Sequence, residues 1–362
     1  MKSLIIFVPV FNGAKFLSQS LASLEIQSYD DFDVYISNNF SSDSSLSIAS
    51  EFVSRDSRFH LISPPVHFQR SEDHGNYLLG LTHLWSKYEY LAFRHDDDIY
   101  TQTMLEEQIE ALGVFHSAAL CFTGATIVDQ NLNKLYTAIS KQPVKSSFDS
   151  NSFLYSQSDL IRGGLQSCVT AFSPSVIIRT AAIISRPPSI NSKVFGKAAD
   201  LGLWCEIAEQ GSVLIIPRSL FCYRKHSCSD SFLSDRLLLK NCFIDLVDFY
   251  ISSMRFCPCF RDYVMIYRLI CAEAIFRFCE SKSLLVDVHF FARIKSFPGL
   301  KFYHFLFIPF SGLPGLRISY QFFIMYLVGA LSVVSCLTCQ RKKYILLLAE
   351  SPVAIVKKLF KR

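Results

Sequence analysis

The chain has 362 residues, half of them hydrophobic, with 33 Phe, 19% charged residues and a mean hydropathy of +0.27. A chain this long and this apolar buries a core, which excludes a disordered protein and a coiled coil. The net charge of +5 conceals a division: residues 251–362 carry 16 Lys+Arg against 5 Asp+Glu, a balance of +11, and residues 1–250 carry 20 against 26, a balance of −6. In the basic part the charges are interspersed with Phe, Leu and Ile, a pattern that favours an anionic lipid surface over nucleic acid as partner. The apolar run of the first sixteen residues is too short for a secretory signal, so the twelve Cys are expected as thiols and the front half at the cytoplasmic side. Cys257 with Cys259 and Cys336 with Cys339 lack a His at zinc-finger spacing and read as packing residues.

Leu4 to Val10 is a continuous run of apolar, mostly branched residues, as a strand buried on both faces requires. Asn12-Gly13 makes a turn, and Phe16, Leu17, Leu21 and Leu24 recur at helical spacing up to Gln27. Asp33 to Ser37 is a second strand, followed by a polar turn, Asn38 to Asp43, and a helical stretch through Val53. A helix is predicted around Asn76 to Lys87 and a strand at Tyr90 to Phe93, which runs into Arg94-His95-Asp96-Asp97-Asp98. Thr101 to Phe115 is helical by spacing, Ala119 to Val128 a strand, and residues 129–131 a turn. Residues 141–160 are Ser-rich and weakly periodic and read as a loop. Val169 to Arg179 is strand-like, residues 186–197 form a loop around Pro187-Pro188, and Ala198 to Ala208 is helical. Val213 to Ile216 is a short strand, and Tyr223-Arg224-Lys225-His226 leaves the last one.

From Ser231 only helices are predicted. Residues 318–340 form a charge-free stretch between Arg317 and Arg341-Lys342-Lys343, long enough to span a bilayer or to lie in its plane. The alternation of strands and helices implies an α/β fold with a mostly parallel sheet, whose ligands sit beyond the carboxyl ends of its strands. The predicted organisation is a catalytic domain at 1–230, a helical extension at 231–300 and an apolar, basic, membrane-associating segment at 301–362.

Three consecutive carboxylates repel one another unless a cation neutralises them. Asp96-Asp97-Asp98 is therefore either a divalent-cation site facing substrate phosphates or an acidic turn that caps the helix after it.

Leu4 to Gly13 with the helix after it, Asp33 to Asp43, and His95-Asp96-Asp97-Asp98-Ile99 resemble the first strand, the second-strand turn and the DxD region of family 2 glycosyltransferases of the GT-A fold. Asp200 and the Tyr223 to His226 segment continue the resemblance over about two thirds of the chain. It implies transfer of a sugar from a nucleotide-sugar donor to a glycan or lipid-linked acceptor, at the cytoplasmic face of the membrane, with inversion and with Mn²⁺ or Mg²⁺ as cofactor. Pro9, Phe11, Asn12 and Asn38 would lie at the nucleotide, and Asp96 and Arg224 at its phosphates. Asp96, Asp97, Asp98 and His226 would hold the metal, with Asp96 and Asp98 as the expected pair. Asp200 would be the general base, or else a helix N-cap. Asn38 and Ala199 stand where the family usually has acidic residues. Alternatives from other classes are a metal-dependent phosphodiesterase or nucleotidyltransferase, and a catalytically impaired membrane scaffold of the same fold.

Overall fold

The computed structural model describes residues 2–140, 152–165, 171–227, 236–258, 262 and 266. The chain divides into two units, Met1–Cys257 and Pro258–Arg362. The stretch at 318–340 and the segment at 301–362 lie outside the described residues, as does nearly all of the second unit. Among the described residues no helix is long and apolar enough to cross a membrane.

The first unit is built on a ten-stranded sheet in the order β3-β2-β1-β4-β9-β6-β10-β5, with β7 paired to β6 and β8 to β10. Its strands are β1 (Leu4–Val10), β2 (Phe32–Asn38), β3 (Phe59–Ile62), β4 (Tyr90–Phe93), β5 (Ile99–Tyr100), β6 (Ala118–Val128), β7 (Lys134–Ala138), β8 (Phe153–Tyr155), β9 (Ile177–Arg179) and β10 (Ser212–Arg224). β1, β2, β3, β4, β6 and β10 share one direction, while β5, β7, β8 and β9 oppose it. The sheet is thus mixed, a correction to the mostly parallel one expected. The parallel strands end at one edge, where the loops after β1, β2, β4 and β10 gather.

β1 is the core strand: Leu4, Ile5, Ile6, Phe7 and Val8 are all fully buried, as their unbroken apolar run requires. Helix α1 (Ala14–Glu25) lays Leu17, Leu21 and Leu24 on the sheet, each fully buried and each contributing about 2 kcal/mol. Its N-cap, Gly13, offers no side chain, and the Ala14 amide is met instead by Asp43 Oδ2 at 3.0 Å from the neighbouring turn. Helix α2 (Ser45–Arg55) follows that turn.

The helix predicted at 76–87 is two helices, α3 (Ser71–Gly80) and α4 (Thr82–Trp85), separated after Gly80, a poor helix former. Helix α5 (Met104–Val114) starts from Thr103, so β5 separates it from the Asp triplet and the reading of those residues as its cap is corrected. Part of the loop expected at 141–160 is ordered as β8 and helix α6 (Gln157–Leu165); residues 141–151 lie outside the described residues. α6 begins with a reciprocal cap in which the Ser156 amide donates to Asp159 Oδ2 at 3.0 Å and the Asp159 amide to Ser156 Oγ at 3.2 Å.

Of the strand expected over 169–179, residues 169 and 170 lie outside the described residues, and the rest narrows to β9, because Pro174 puts Ser173–Ser175 into a 3₁₀ turn. A short helix α7 (Ser192–Phe195) and then α8 (Ala199–Ile207) follow. The two short strands predicted after Gly211 are one, β10, interrupted by register shifts between Ile216 and Phe221 next to Pro217. Helix α9 (Arg236–Ser252) closes the described part of this unit. Cys121, Cys205 and Cys242 are buried packing residues, whereas Cys257 is exposed and departs from that reading.

Candidate active site

The Asp triplet lies beyond the end of β4, and the end of β10, which β9 and β6 separate from β4 in the sheet, also reaches it. The Arg224 amide donates to Asp98 Oδ1 at 2.8 Å, and the Arg224 guanidinium donates from Nε to the Asp97 carbonyl at 2.7 Å. Its other bonds go to the Gln130 carbonyl at 3.0 Å and to Gln19 Oε1 at 2.7 Å, and it lies 4.4 Å from the centre of the Phe16 ring. Arg224 is 2% exposed and turned inward, so the residue expected at phosphate braces the acidic loop. His226 Nε2 lies 2.8 Å from Asp97 Oδ2 and its ring is 4.8 Å from that of Phe16. The segment Arg224 to His226 thus fixes two of the three carboxylates.

The three Asp do not all face one way. His95, Asp97 and Asp98 can each offer an atom, all within 4.8 Å of one another, to a single ion. Asp96 is outside that set: its carboxylate turns to the end of β1, where a Cβ on Gly13 would fall 2.0 Å from Asp96 Oδ2. Of the pair expected to bind metal, Asp98 therefore groups with Asp97 and His95, and Asp96 stands at the β1 turn.

Asp98 is 1% exposed, and its Oδ2 is buried with no hydrogen-bond partner. His95 Nδ1 is 3.7 Å from that oxygen. Burial, then the charge of Asp97, holds the Asp98 carboxyl well above the usual range, and the same two causes push Asp96 up to about 8. An orphaned buried oxygen beside a second carboxylate and an imidazole is a cost that a hard divalent cation removes, so the residues present fit Mn²⁺ or Mg²⁺.

The turns after β1 and β2 are tied together. The Asn12 amide donates to Ser41 Oγ at 3.0 Å, Asn12 Oδ1 accepts from the Ser42 amide at 2.8 Å, and the Asn39 amide donates to the Val10 carbonyl at 2.9 Å. Asn38 is buried at the end of β2, and its Oδ1 accepts from the Ser41 amide at 3.4 Å. Against the upward push of burial, hydrogen bonds from Ser45 and Ala14 hold the Asp43 carboxyl below its ordinary range. Pro9 pairs with Ser37 in the sheet between these turns.

Asn39 clamps the loop after β3, donating to the Phe68 carbonyl at 2.7 Å and accepting from the Phe68 amide at 2.8 Å. That clamp sets His67 beside two exposed rings, Phe11 at 5.0 Å and Phe40 at 6.3 Å between centroids. Phe11 is 51% and Phe40 54% exposed, so the three rings form an open aromatic rim beside Asn38.

Asp200 is exposed in the first turn of α8, whose N-cap is Ala198, so the reading of Asp200 as the cap is corrected. Its Oδ2 accepts from Ser173 Oγ at 2.6 Å. Sequence reasoning missed Ser173, His67, Phe40 and Arg94, and placed His95 in the segment that resembles the DxD region without counting it among the metal ligands. Arg94 is the least expected of them: wholly buried, it donates to the Phe93 carbonyl at 2.9 Å, the Val176 carbonyl at 2.8 Å and Gln108 Oε1 at 3.1 Å. Burial pulls its guanidinium down to about 10. A charged residue closing an apolar strand was its only signal.

Residues 5–179 match the family model described as glycosyl transferase family 2. An uncharacterized glycosyltransferase of Rickettsia typhi is 25% identical over 133 residues, which cover 36% of this chain and 39% of that protein. Among solved structures, residues 1–349 of TarS from S. aureus, in complex with UDP-GlcNAc, match with a TM-score of 0.56 at 13% identity over 82% of each chain. The mannosyltransferase PcManGT from Pyrobaculum calidifontis, in complex with GDP-Man and Mn²⁺, matches with a TM-score of 0.50 at 12% identity over 99% of this chain and 87% of that one.

Proposed function

Because this chain belongs to glycosyl transferase family 2 and has a GT-A-like fold, we propose that it moves a sugar, with inversion, from a nucleotide-diphosphate donor to a hydroxyl of a glycan or lipid-linked acceptor. The observation that carries the reading is the joint between β4 and β10, where the Arg224 amide on Asp98 Oδ1 leaves Oδ2 buried and unsatisfied beside Asp97 and His95. A bound divalent cation supplies neutralisation of the diphosphate as the glycosidic bond breaks. Asp97, Asp98 and His95 would hold it, with His226 orienting Asp97 and Arg224 fixing the loop. The solved complexes of similar fold, one with UDP-GlcNAc and one with GDP-Man and Mn²⁺, support a nucleotide sugar and a metal as ligands here.

The nucleotide would lie across the tied turns after β1 and β2, with its base against Phe11, Phe40 and His67 and its edge toward Asn38, an amide that both donates and accepts. Asp200 takes the acceptor proton. The balance of +11 over residues 251–362, among Phe, Leu and Ile, supports an anionic membrane surface as the place of work, on its cytoplasmic face.

A thermal-shift panel of UDP, GDP and dTDP with and without Mn²⁺ tests the reading. One nucleotide is expected to raise the melting temperature, and only with metal. A shift by none of them, or an equal shift without metal, refutes it. Asp200→Asn is expected to lower transfer about 10²- to 10⁴-fold while keeping that shift.

A further inference from the structure

Ser173 makes a polar contact with Asp200 that nothing in the architecture of α8 demands. Asp200 is not the cap of its helix, and its carboxylate reaches out of the helix to the 3₁₀ turn before β9. The Ser173 hydroxyl donates to Asp200 Oδ2 at 2.6 Å, a short charge-assisted bond. A flexible exposed carboxylate samples several rotamers, and a bond of this kind selects one.

The turn that carries Ser173 is itself held from three sides. Ser175 is fully buried; its carbonyl accepts from Gln108 Nε2 at 2.7 Å, and its Oγ accepts from the Thr123 amide at 3.3 Å and donates to the Phe172 carbonyl at 2.8 Å. The next carbonyl, that of Val176, accepts from Arg94, and Gln108 Oε1 accepts from the same guanidinium. β9 runs antiparallel to β4 with Ile177 opposite Ala92, so the turn sits at the edge of the sheet where β4 delivers the Asp triplet. Arg94 is the residue immediately before His95 and is bonded to no carboxylate. Burying such a charge is costly, and the connection it makes is between the acidic loop and the Ser173 turn.

We propose that Ser173 is a positioning residue for Asp200, holding Oδ2 so that Oδ1 faces the acceptor hydroxyl, with the Arg94–Gln108 brace keeping this turn in register with the acidic loop. The inference rests on the reading of Asp200 as the base. In that step the acceptor O–H proton goes to Oδ1, and the acceptor oxygen forms its bond to the anomeric carbon. The bond from that carbon to the donor phosphate breaks, its electron pair leaving on the nucleoside diphosphate. Ser173 exchanges no proton in it and touches no substrate.

The test is kinetic, on the full chain, with UDP-, GDP- and dTDP-hexoses as donors, water as the acceptor, and release of the nucleoside diphosphate as the readout. Ser173→Ala is expected to lower kcat about 10- to 100-fold while leaving the donor KM within about twofold, because the lost bond orients the base and not the donor. Ser173→Thr, which keeps the hydroxyl, is expected to recover most of the rate. In an Asp200→Asn background, Ser173→Ala is expected to cost nothing further, since both changes disable one unit. The nucleotide-induced thermal shift reports that each variant is folded. An unchanged kcat in Ser173→Ala, a loss confined to KM, or a full additional loss in the Asp200→Asn background overturns the assignment while the transferase reading stands. Absence of turnover by the unmutated chain with every donor overturns that reading, and the assignment with it.

Discussion

His74 makes acid stability a direct readout of how the end of β2 is held. It is 3% exposed, its Nε2 lies 2.8 Å from Ser37 Oγ, and its ring stacks on Phe68 at 6.0 Å. Burial pulls the imidazole from 6.5 down to about 4. The folded chain therefore refuses a proton that the unfolded chain accepts, so this stability is present above pH 6.5 and is lost as the pH falls through about 4. At about 1.36 kcal/mol per unit, the shift is worth about 3 kcal/mol when fully expressed. Ser37 precedes Asn38, so the same protonation loosens the turn assigned to the nucleotide. Urea midpoints of the unmutated chain and of His74→Gln, compared at about pH 7 and about pH 4.5, isolate the effect, because carboxylate titrations common to both cancel. The unmutated chain is expected to lose about 2 to 3 kcal/mol more than the variant over that interval. Parallel losses would refute the argument, since they would mean that His74 takes its proton in the fold as readily as in the open chain.

Asp98→Asn removes a buried carboxylate oxygen without a partner, so the metal-free chain is expected to melt higher, by about 1 kcal/mol, while its Mn²⁺-dependent shift disappears in the same thermal-shift assay. Gly13→Ala puts a Cβ 2.0 Å from Asp96 Oδ2 on a backbone at φ −93°, so the carboxylate must turn away: nucleotide affinity by calorimetry is expected to fall about tenfold with urea stability within about 1 kcal/mol. Arg224→Lys keeps the charge but can satisfy one of three acceptors, and the two lost bonds predict a loss of about 3 kcal/mol in urea unfolding.

The strands of the first half were legible because their signal is local. Leu4–Val10 and Tyr90–Phe93 have their predicted bounds, since an unbroken apolar run needs no partner to be recognised. β3, β7 and β8 were not read: β3 has four residues, β7 is exposed along most of its length, and β8 has three residues whose identity as a strand depends on pairing with β10. The capping pair Ser156 and Asp159 was a readable start for α6, passed over amid the Ser-rich run. At the site, the acidic triplet was legible as a cluster, but its division was not. Whether Asp96 or Asp97 joins Asp98 depends on Gly13 and Arg224, which lie far from the triplet in sequence and meet it only through the sheet order. Ser173 was illegible for the same reason, because its partner is 27 residues away on another element.

Two kinds of departure from local rules meet at one edge of the sheet, and they give the site a physical origin independent of any motif. Asn12 and Phe40 have φ of 52° and 57°, a region that Asn enters readily and a bulky aromatic rarely does. Strain of this kind persists only where neighbours overdetermine the backbone. Here Asn12 is bonded to Ser41 and Ser42 of the turn after β2, and Asn39, just before Phe40, is fixed to Val10 and Phe68. The result is a half-exposed Phe40 ring where an unstrained turn could have buried it or replaced it with a polar residue. The same edge keeps a carboxylate oxygen of Asp98 unsatisfied. A fold that only had to be stable would relieve both costs, the first by a glycine and the second by an amide or an apolar side chain. Keeping an exposed ring and an uncompensated oxygen at the same edge of the sheet is what the proposed site requires, a surface that would receive a flat base at one end and a cation with its phosphates at the other.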